Sequence, residues 1–354
     1  MPSKNLRTSL RLPLPLKARA LLFFSACALA ACGAWARVGQ VQSDANSTRE
    51  RRVGTSVSNR NENAVGANSG AANPETMGRG VTETNSPMAF GQPRAALFFT
   101  ALEQAMRSRG MRVEDACPRE DAVASRILRE YGAIFMATQS VRVPPVCMFT
   151  SEVEVARFQT DAQPVSAIVG GTRIELQRAA MDALVAARED AARQGLTITP
   201  RGGSEAARRS FQDTVRLWNS RFFPALEYWR GRGRLSAEEV NHLRALPIHD
   251  QVAGVLRLED RGIFFSRDFS KSILYSVAAP GASQHISMLA LDVAEFGNAR
   301  VRRILAAHGW FQTVKSDMPH FTFLGLNESE LPSRGLRQVT VDGQLFWIPN
   351  VANE

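Results

Sequence analysis

The sequence predicts an α+β fold, a central antiparallel sheet with flanking helices, carried behind a long polar arm. Three observations lead there. Apolar residues recur at helical spacing between about 93 and 246, and strand-type alternation dominates the last third. Residues 37–92, by contrast, hold hardly any large apolar side chains and cannot bury enough surface to offset their ordering entropy. A chain of 354 residues, less such an arm, is long enough for one large domain or two modest ones.

The first element is a leader over residues 1–36. Basic residues reach Arg19, and the apolar run from Ala20 to Ala31 is too short to span a bilayer comfortably, as in a signal peptide. Leu29-Ala30-Ala31-Cys32 before Gly33 resembles a lipobox, in which Cys32 takes a lipid and anchors the chain to a membrane. A plain cleavage site after Ala34-Trp35-Ala36 fits the small-residue rule as well. Either implies export to the periplasm or cell envelope. Cys27 and Cys32 lie in the leader, so the exported body keeps Cys117 and Cys147. In an oxidising compartment these form either one disulfide, worth roughly 3 kcal/mol for a loop of about thirty residues, or two buried thiols. The net charge of +9 favours anionic polymers or lipid head groups as partners. No motif points to nucleic acid.

Order is expected from Pro93, after the 37–92 arm. Residues 93–160 read as a small α+β subdomain, with one amphipathic helix through Phe98, Leu102 and Met106 and another over Val123–Tyr131. The main domain, 161–326, opens on a long helix from about Glu175 to Gln194, ended by Gly195. Leu196–Thr199 alternates as a short strand. Pro200-Arg201-Gly202-Gly203-Ser204 then turns into a helix through Trp218, with Ser204 as a candidate N-cap. Ser236 with Glu239 is a capping box. Strands are expected at Gly262–Phe265, Ile273–Val277, Leu289–Val293 and Phe321–Leu324, with a helix from Ala299 to His308. Residues 327–354 form a C-terminal extension, a hairpin turning at Asp342-Gly343.

The residues with chemistry to offer cluster near the C-terminal end. His285, Asp292 and His320 supply two imidazoles and a carboxylate, and Asp317 is a second carboxylate three residues before His320. Catalytic zinc commonly takes three N/O ligands and leaves a position for water, with a nearby carboxylate to move the proton. In a strand, Ala290 and Asp292 share one face, and His320, Thr322 and Leu324 share another. Adjacent strands can therefore aim Asp292 and His320 at one point, with His285 arriving from the preceding loop.

Ser283-Gln284-His285-Ile286-Ser287-Met288-Leu289-Ala290-Leu291-Asp292, followed by Asp317-Met318-Pro319-His320-Phe321, resembles the VanY-like D-alanyl-D-alanine carboxypeptidases. These share a zinc fold with lysostaphin-type endopeptidases and the hedgehog signalling domain. Their motifs run Ser-x-His, a spacer with Gly, Ala-x-Asp, then Glu-x-x-His-aromatic, and the likeness covers roughly residues 170–325. It implies Zn²⁺ on His285, Asp292 and His320, Asp317 at the place of the catalytic Glu, and Ser283 beside the substrate. It also implies an arginine for the substrate carboxylate, for which Arg201 is the first choice by position and Arg208, Arg209 and Arg267 are competitors. Two positions depart from the pattern. Met288 replaces the Gly, so the backbone there is expected to avoid a positive φ. Asp317 is one methylene shorter than Glu, a displacement of about 1.5 Å that can cost roughly 100-fold in rate.

The reading that follows is an exported zinc peptidase acting on peptidoglycan stem peptides. The alternative is a non-catalytic zinc-fold module that binds wall peptides or scaffolds the envelope. His308 reads as a helix-terminal residue, His242 and His249 as surface, and Trp218, Trp229 and Trp310 as core. Asp268 and Glu295 are either solvated or partners of the ligand histidines.

Overall fold

The computed structural model describes Leu97 to Val351. The expected leader, Cys27, the lipobox Cys32 and the polar arm lie outside the described residues. Four helices come first: α1 (Phe98–Arg107), α2 (Val113–Ala116), α3 (Ala122–Tyr131) and α4 (Glu152–Asp161). Phe98, Leu102 and Met106, four residues apart, are the buried stripe of α1. Asp121 caps α3 by accepting from the Val123 backbone N–H, and its other oxygen lies 2.8 Å from His249 Nε2. No strand precedes Pro164 among the described residues, so the expected α+β character of 93–160 is corrected to helical. The segment around Cys147 makes single backbone bonds to different partners, Cys147 N–H to Ala116 O and Phe149 N–H to Gly281 O, instead of a ladder. Cys117 and Cys147 form a disulfide, with Cα atoms 5.2 Å apart.

A hairpin absent from the sequence expectations follows, β1 (Pro164–Val169) and β2 (Thr172–Gln177), closed by Gly170-Gly171 at positive φ. It occupies Glu175–Gln177, so the predicted helix starts later, as α5 (Arg178–Arg193). Gly-Gly between two alternating runs is the signal that marks such a turn. Residues 203–206 form only a 3-10 turn. Ser210, not Ser204, is the N-cap of the next helix, α6 (Phe211–Gly231), with Asp213 completing a capping box. That helix runs well past Trp218, with Pro224 inside it. The Ser236–Glu239 capping box opens α7 (Ala237–Ala245) as expected, and α8 (Ile248–Glu259) follows.

Two expected strands are not formed. Ile263 N–H bonds back to Leu258 O. Ile273–Tyr275 is a 3-10 turn, because the Glu259 carboxylate takes the Ile273 N–H at 2.6 Å and Ser272 Oγ takes that of Leu274. Local side-chain acceptors thus capture the donors a ladder would need.

The sheet that positions the site is small and antiparallel. β3 (Ala290–Asp292), β4 (Trp310–Phe311) and β5 (His320–Phe323) lie in the order β3-β5-β4, with α9 (Ala299–Ala307) between β3 and β4 in the chain. On the far edge of β3, the strand expected at Leu196–Thr199 is reduced to one bridge, Pro200 to Val293. The Thr199 N–H that would extend it donates instead to the Glu295 carboxylate at 2.8 Å. The final hairpin, β6 (Leu336–Val341) and β7 (Gln344–Pro349), turns at Asp342-Gly343 as predicted, both at positive φ. One continuous apolar core runs from Phe98 to Val351 and includes Trp218, Phe265 and Trp310. No helix among the described residues is long and apolar enough to cross a membrane.

The disulfide closes a separation of 30 residues. Replacing both cysteines by alanine is expected to cost about 3 kcal/mol in urea denaturation; a loss below about 1 kcal/mol would mean that the unfolded chain is little restrained by the cross-link.

Candidate metal centre

The site begins with a tight turn. Gln284–Ser287 forms a 3-10 turn, within which Ser287 Oγ donates to Gln284 O and accepts the Leu289 N–H. Met288 ends the turn at φ 56° and ψ 30°. The expectation of a negative φ at this position is therefore overturned: a side chain occupies the left-handed region where glycine is the usual choice. Met288 is wholly buried. Removing a buried Met side chain costs about 2–5 kcal/mol, against about 1–2 kcal/mol of left-handed strain, so packing outweighs strain.

Two buried glutamines hold this turn from below. Gln177 Nε2 donates to Ser287 O and Arg142 O, and the Gln177 backbone N–H donates to Met288 O. Gln159 Nε2 donates to Ile286 O and Arg209 O. Ile286 sits in a satellite apolar cluster with Phe149, Val155, Phe158 and Phe211. Upstream, Gly281 at φ 77° lies so close to Phe149 that an added Cβ would stand 2.0 Å from its carbonyl oxygen. That contact ties the segment after Cys147 to the loop leading into the turn.

The other ligand candidates come from the sheet. Asp292 and His320 are directly opposed across β3 and β5, as are Ala290 and Thr322, which is the shared face expected from alternation. His285 Nε2 lies 3.3 Å and His320 Nδ1 3.4 Å from Asp292 Oδ1, and the two nitrogens are 3.1 Å apart. His285 and His320 are 1% and 4% exposed.

The three residues form the metal-capable cluster among the described residues, and two tests support the fit. Ligands about 2.1 Å from a tetrahedral ion stand about 3.4 Å from one another, close to all three separations. Asp292 Oδ1, the oxygen between the imidazoles, is buried with no hydrogen-bond partner among the described residues, a position that favours a cation. Asp292 Oδ2 is taken by Arg209 Nη2 at 3.0 Å.

Electrostatics favour the ligand forms. Burial, with the Arg209 cation adding to it, pushes His285 down to about 4, so its ring is neutral near pH 7. For Asp292, burial acts upwards, but the two adjacent imidazoles outweigh it and its pKa is lowered. Asp317 has an exposed side chain by surface area yet lines a cleft. Surrounding protein strips part of its hydration and raises its pKa; the Asp292 charge adds, while His320, Arg209 and Arg201 oppose.

A cavity of about 220 Å³ opens beside the cluster. His285, His320, Asp317 and Ser283 line it. Thr214, Leu217 and Arg221, on one face of α6, form a wall with Arg209, and residues 274–278 form another. Arg201 is not part of this lining: its guanidinium lies over the Phe296 ring at 5.4 Å, while its backbone N–H donates to Asp292 O. Arg208 is held by Glu175 and Gln159. Arg221 escaped sequence reasoning; its i, i+3, i+7 relation to Thr214 and Leu217 appears only once α6 is known to extend to Gly231. Glu295 bonds Thr197 and Thr199, and Asp268 bonds Ser266 and Ser270, so neither reaches the histidines. His308 meets Asp190.

No family model, curated protein or solved structure matches this chain.

The Met288 geometry carries a prediction. Met288→Ala and Met288→Gly should both lower stability, but the glycine variant should be the more stable of the two by about 1 kcal/mol, reversing the usual order. Paired urea denaturation curves check it; alanine the more stable would mean that the turn does not hold a left-handed residue.

Proposed function

We propose that this chain is an exported zinc peptidase of the hedgehog/D-alanyl-D-alanine-peptidase fold that removes a terminal D-amino acid from peptidoglycan stem peptides. The observation that carries the reading is the trio of ligand atoms on His285, Asp292 and His320, spaced as a tetrahedral ion requires around an unpartnered carboxylate oxygen. Zinc bound there would supply a Lewis acid for the scissile carbonyl and lower the pKa of water. Asp317 takes the proton from the attacking water and delivers it to the leaving nitrogen. Arg209 and Arg221 line the cavity, and a guanidinium there is suited to a free carboxylate at the substrate's end. Ser283, lining the same space, offers a hydroxyl to the substrate. The leader and the Cys117–Cys147 disulfide support an oxidising, extracytoplasmic location. Lipidation at Cys32 would tether the domain to a membrane.

The test pairs metal content with release of D-alanine from a muramyl pentapeptide. Wild type should carry one zinc per chain and release D-alanine; Asp317→Ala should keep the metal and lose about 10²–10⁴-fold in kcat. Zinc without release, from this or from cross-linked substrate, would identify a binding module, the reading that the shorter Asp317 favours. No zinc would sink the assignment.

Arg221→Ala should raise KM about tenfold or more, as expected for losing a charge-assisted hydrogen bond worth about 1.5–3 kcal/mol. An unchanged KM, with Arg201→Ala raising it instead, would return the carboxylate role to Arg201.

A further inference from the structure

We infer that Gln284 is a positioning residue that fixes the tautomer of His320, placing the proton on Nε2 and leaving Nδ1 bare toward Asp292 and His285. The inference rests on the metal reading above for its purpose, but its geometry stands apart from any metal.

Gln284 is 4% exposed, and its amide has three close partners. Nε2 lies 2.7 Å from Tyr131 O. Oε1 lies 2.8 Å from His320 Nε2 and 2.5 Å from Thr322 Oγ1. A backbone carbonyl can only accept, so the amide nitrogen must face Tyr131. Turning the amide over would set two acceptor oxygens about 2.7 Å apart in a buried space, with no proton between them. The amide oxygen therefore faces His320, and since it too can only accept, His320 Nε2 must carry the hydrogen.

The same logic runs outward. Thr322 also donates to Gln284 Oε1, so its oxygen is left to accept from Thr313 Oγ1, 2.7 Å away. The polarity of the whole chain, Thr313 to Thr322 to Gln284 to Tyr131 O, is set by one carbonyl. In a neutral imidazole only one nitrogen bears hydrogen. Committing Nε2 as donor leaves the Nδ1 lone pair free, 3.4 Å from Asp292 Oδ1 and 3.1 Å from His285 Nε2. A ligand histidine oriented through its far nitrogen is the usual role of an outer partner at a metal site. His285 has no counterpart, since its Nδ1 is buried without a partner among the described residues. Of the two imidazoles, it is therefore His320 that Gln284 orients.

The experiment uses the full chain in two states. In the metal-free wild type at mildly alkaline pH, long-range ¹H–¹⁵N correlation spectra should show His320 with a protonated Nε2 and a bare Nδ1. Titration with Zn²⁺ alone, against a competing chelator, should then show Gln284→Leu weakened about 10–100-fold. Gln284→Glu, which keeps the acceptor for His320 but loses the donor for Tyr131, should fall nearer wild type. Equal losses in the two variants would assign Gln284 to the Tyr131 tie alone and overturn the inference, as would a wild-type His320 protonated on Nδ1 or exchanging between tautomers. A wild type with the inferred tautomer but no zinc uptake would defeat the metal reading itself and remove the role given to Gln284.

Discussion

Asp292 and His320 meet because they are directly opposed in the β3–β5 ladder, and the rest of the site is arranged around that pair. Strand side chains alternate, so a slip of one residue would send His320 into the core and bring Phe321 to the site. The strands are short, three and four residues, and cannot hold register by length. They hold it by burial and by flanking bonds. Leu291 and Phe321, on the opposite face, are 0% and 1% exposed. At the strand ends, Val293 N–H bonds Pro319 O and Phe323 N–H bonds Leu289 O. Each apolar side chain fully withdrawn from water contributes about 1.5–3 kcal/mol, so a slip would forfeit several kcal/mol before any polar term is counted.

With the ladder fixed, the polar side chains meet under unfavourable conditions. A carboxylate and two imidazoles are taken largely out of water, and only one carboxylate oxygen has a cationic partner, Arg209. Leaving a buried charge uncompensated costs several kcal/mol. The lowered pKa of His285 means that its ring does not offset that cost by protonation near pH 7 and stays neutral. A cation held between the rings would offset that cost. Arg209 lessens the cost by covering Oδ2 and leaves Oδ1 directed between the rings.

Where local pattern decides structure, the sequence was readable. Alternation around Asp292 and His320, the Ser236–Glu239 box, the Asp342-Gly343 turn and the end of α9 at His308 all depend on near neighbours, and all appear as expected. The misses involve partners distant in sequence. Ile273–Val277 has strand composition, but Glu259 reaches it from α8 and captures its backbone. Arg221 reaches the cavity because α6 continues beyond Trp218 and turns that face inward. Met288 shows a third kind of limit. Propensity argues against a left-handed methionine, and it is tolerated because complete burial of its side chain exceeds the strain in magnitude.

The supports of the ligand turn share a chemical character that local pattern could not reveal. Gln159, Gln177 and Gln284 are all almost completely buried, and each joins segments far apart in the chain through both ends of its amide. An amide donates and accepts without carrying charge. Glutamate in those places would bring a further anion into the interior and raise the cost of burial; lysine or arginine would bury a cation without a partner. An apolar side chain would leave Ser287 O, Ile286 O and Tyr131 O without their donors, at about 1–3 kcal/mol each. A neutral residue that both gives and receives hydrogen bonds is therefore the least disturbing way to brace a turn beside a buried carboxylate.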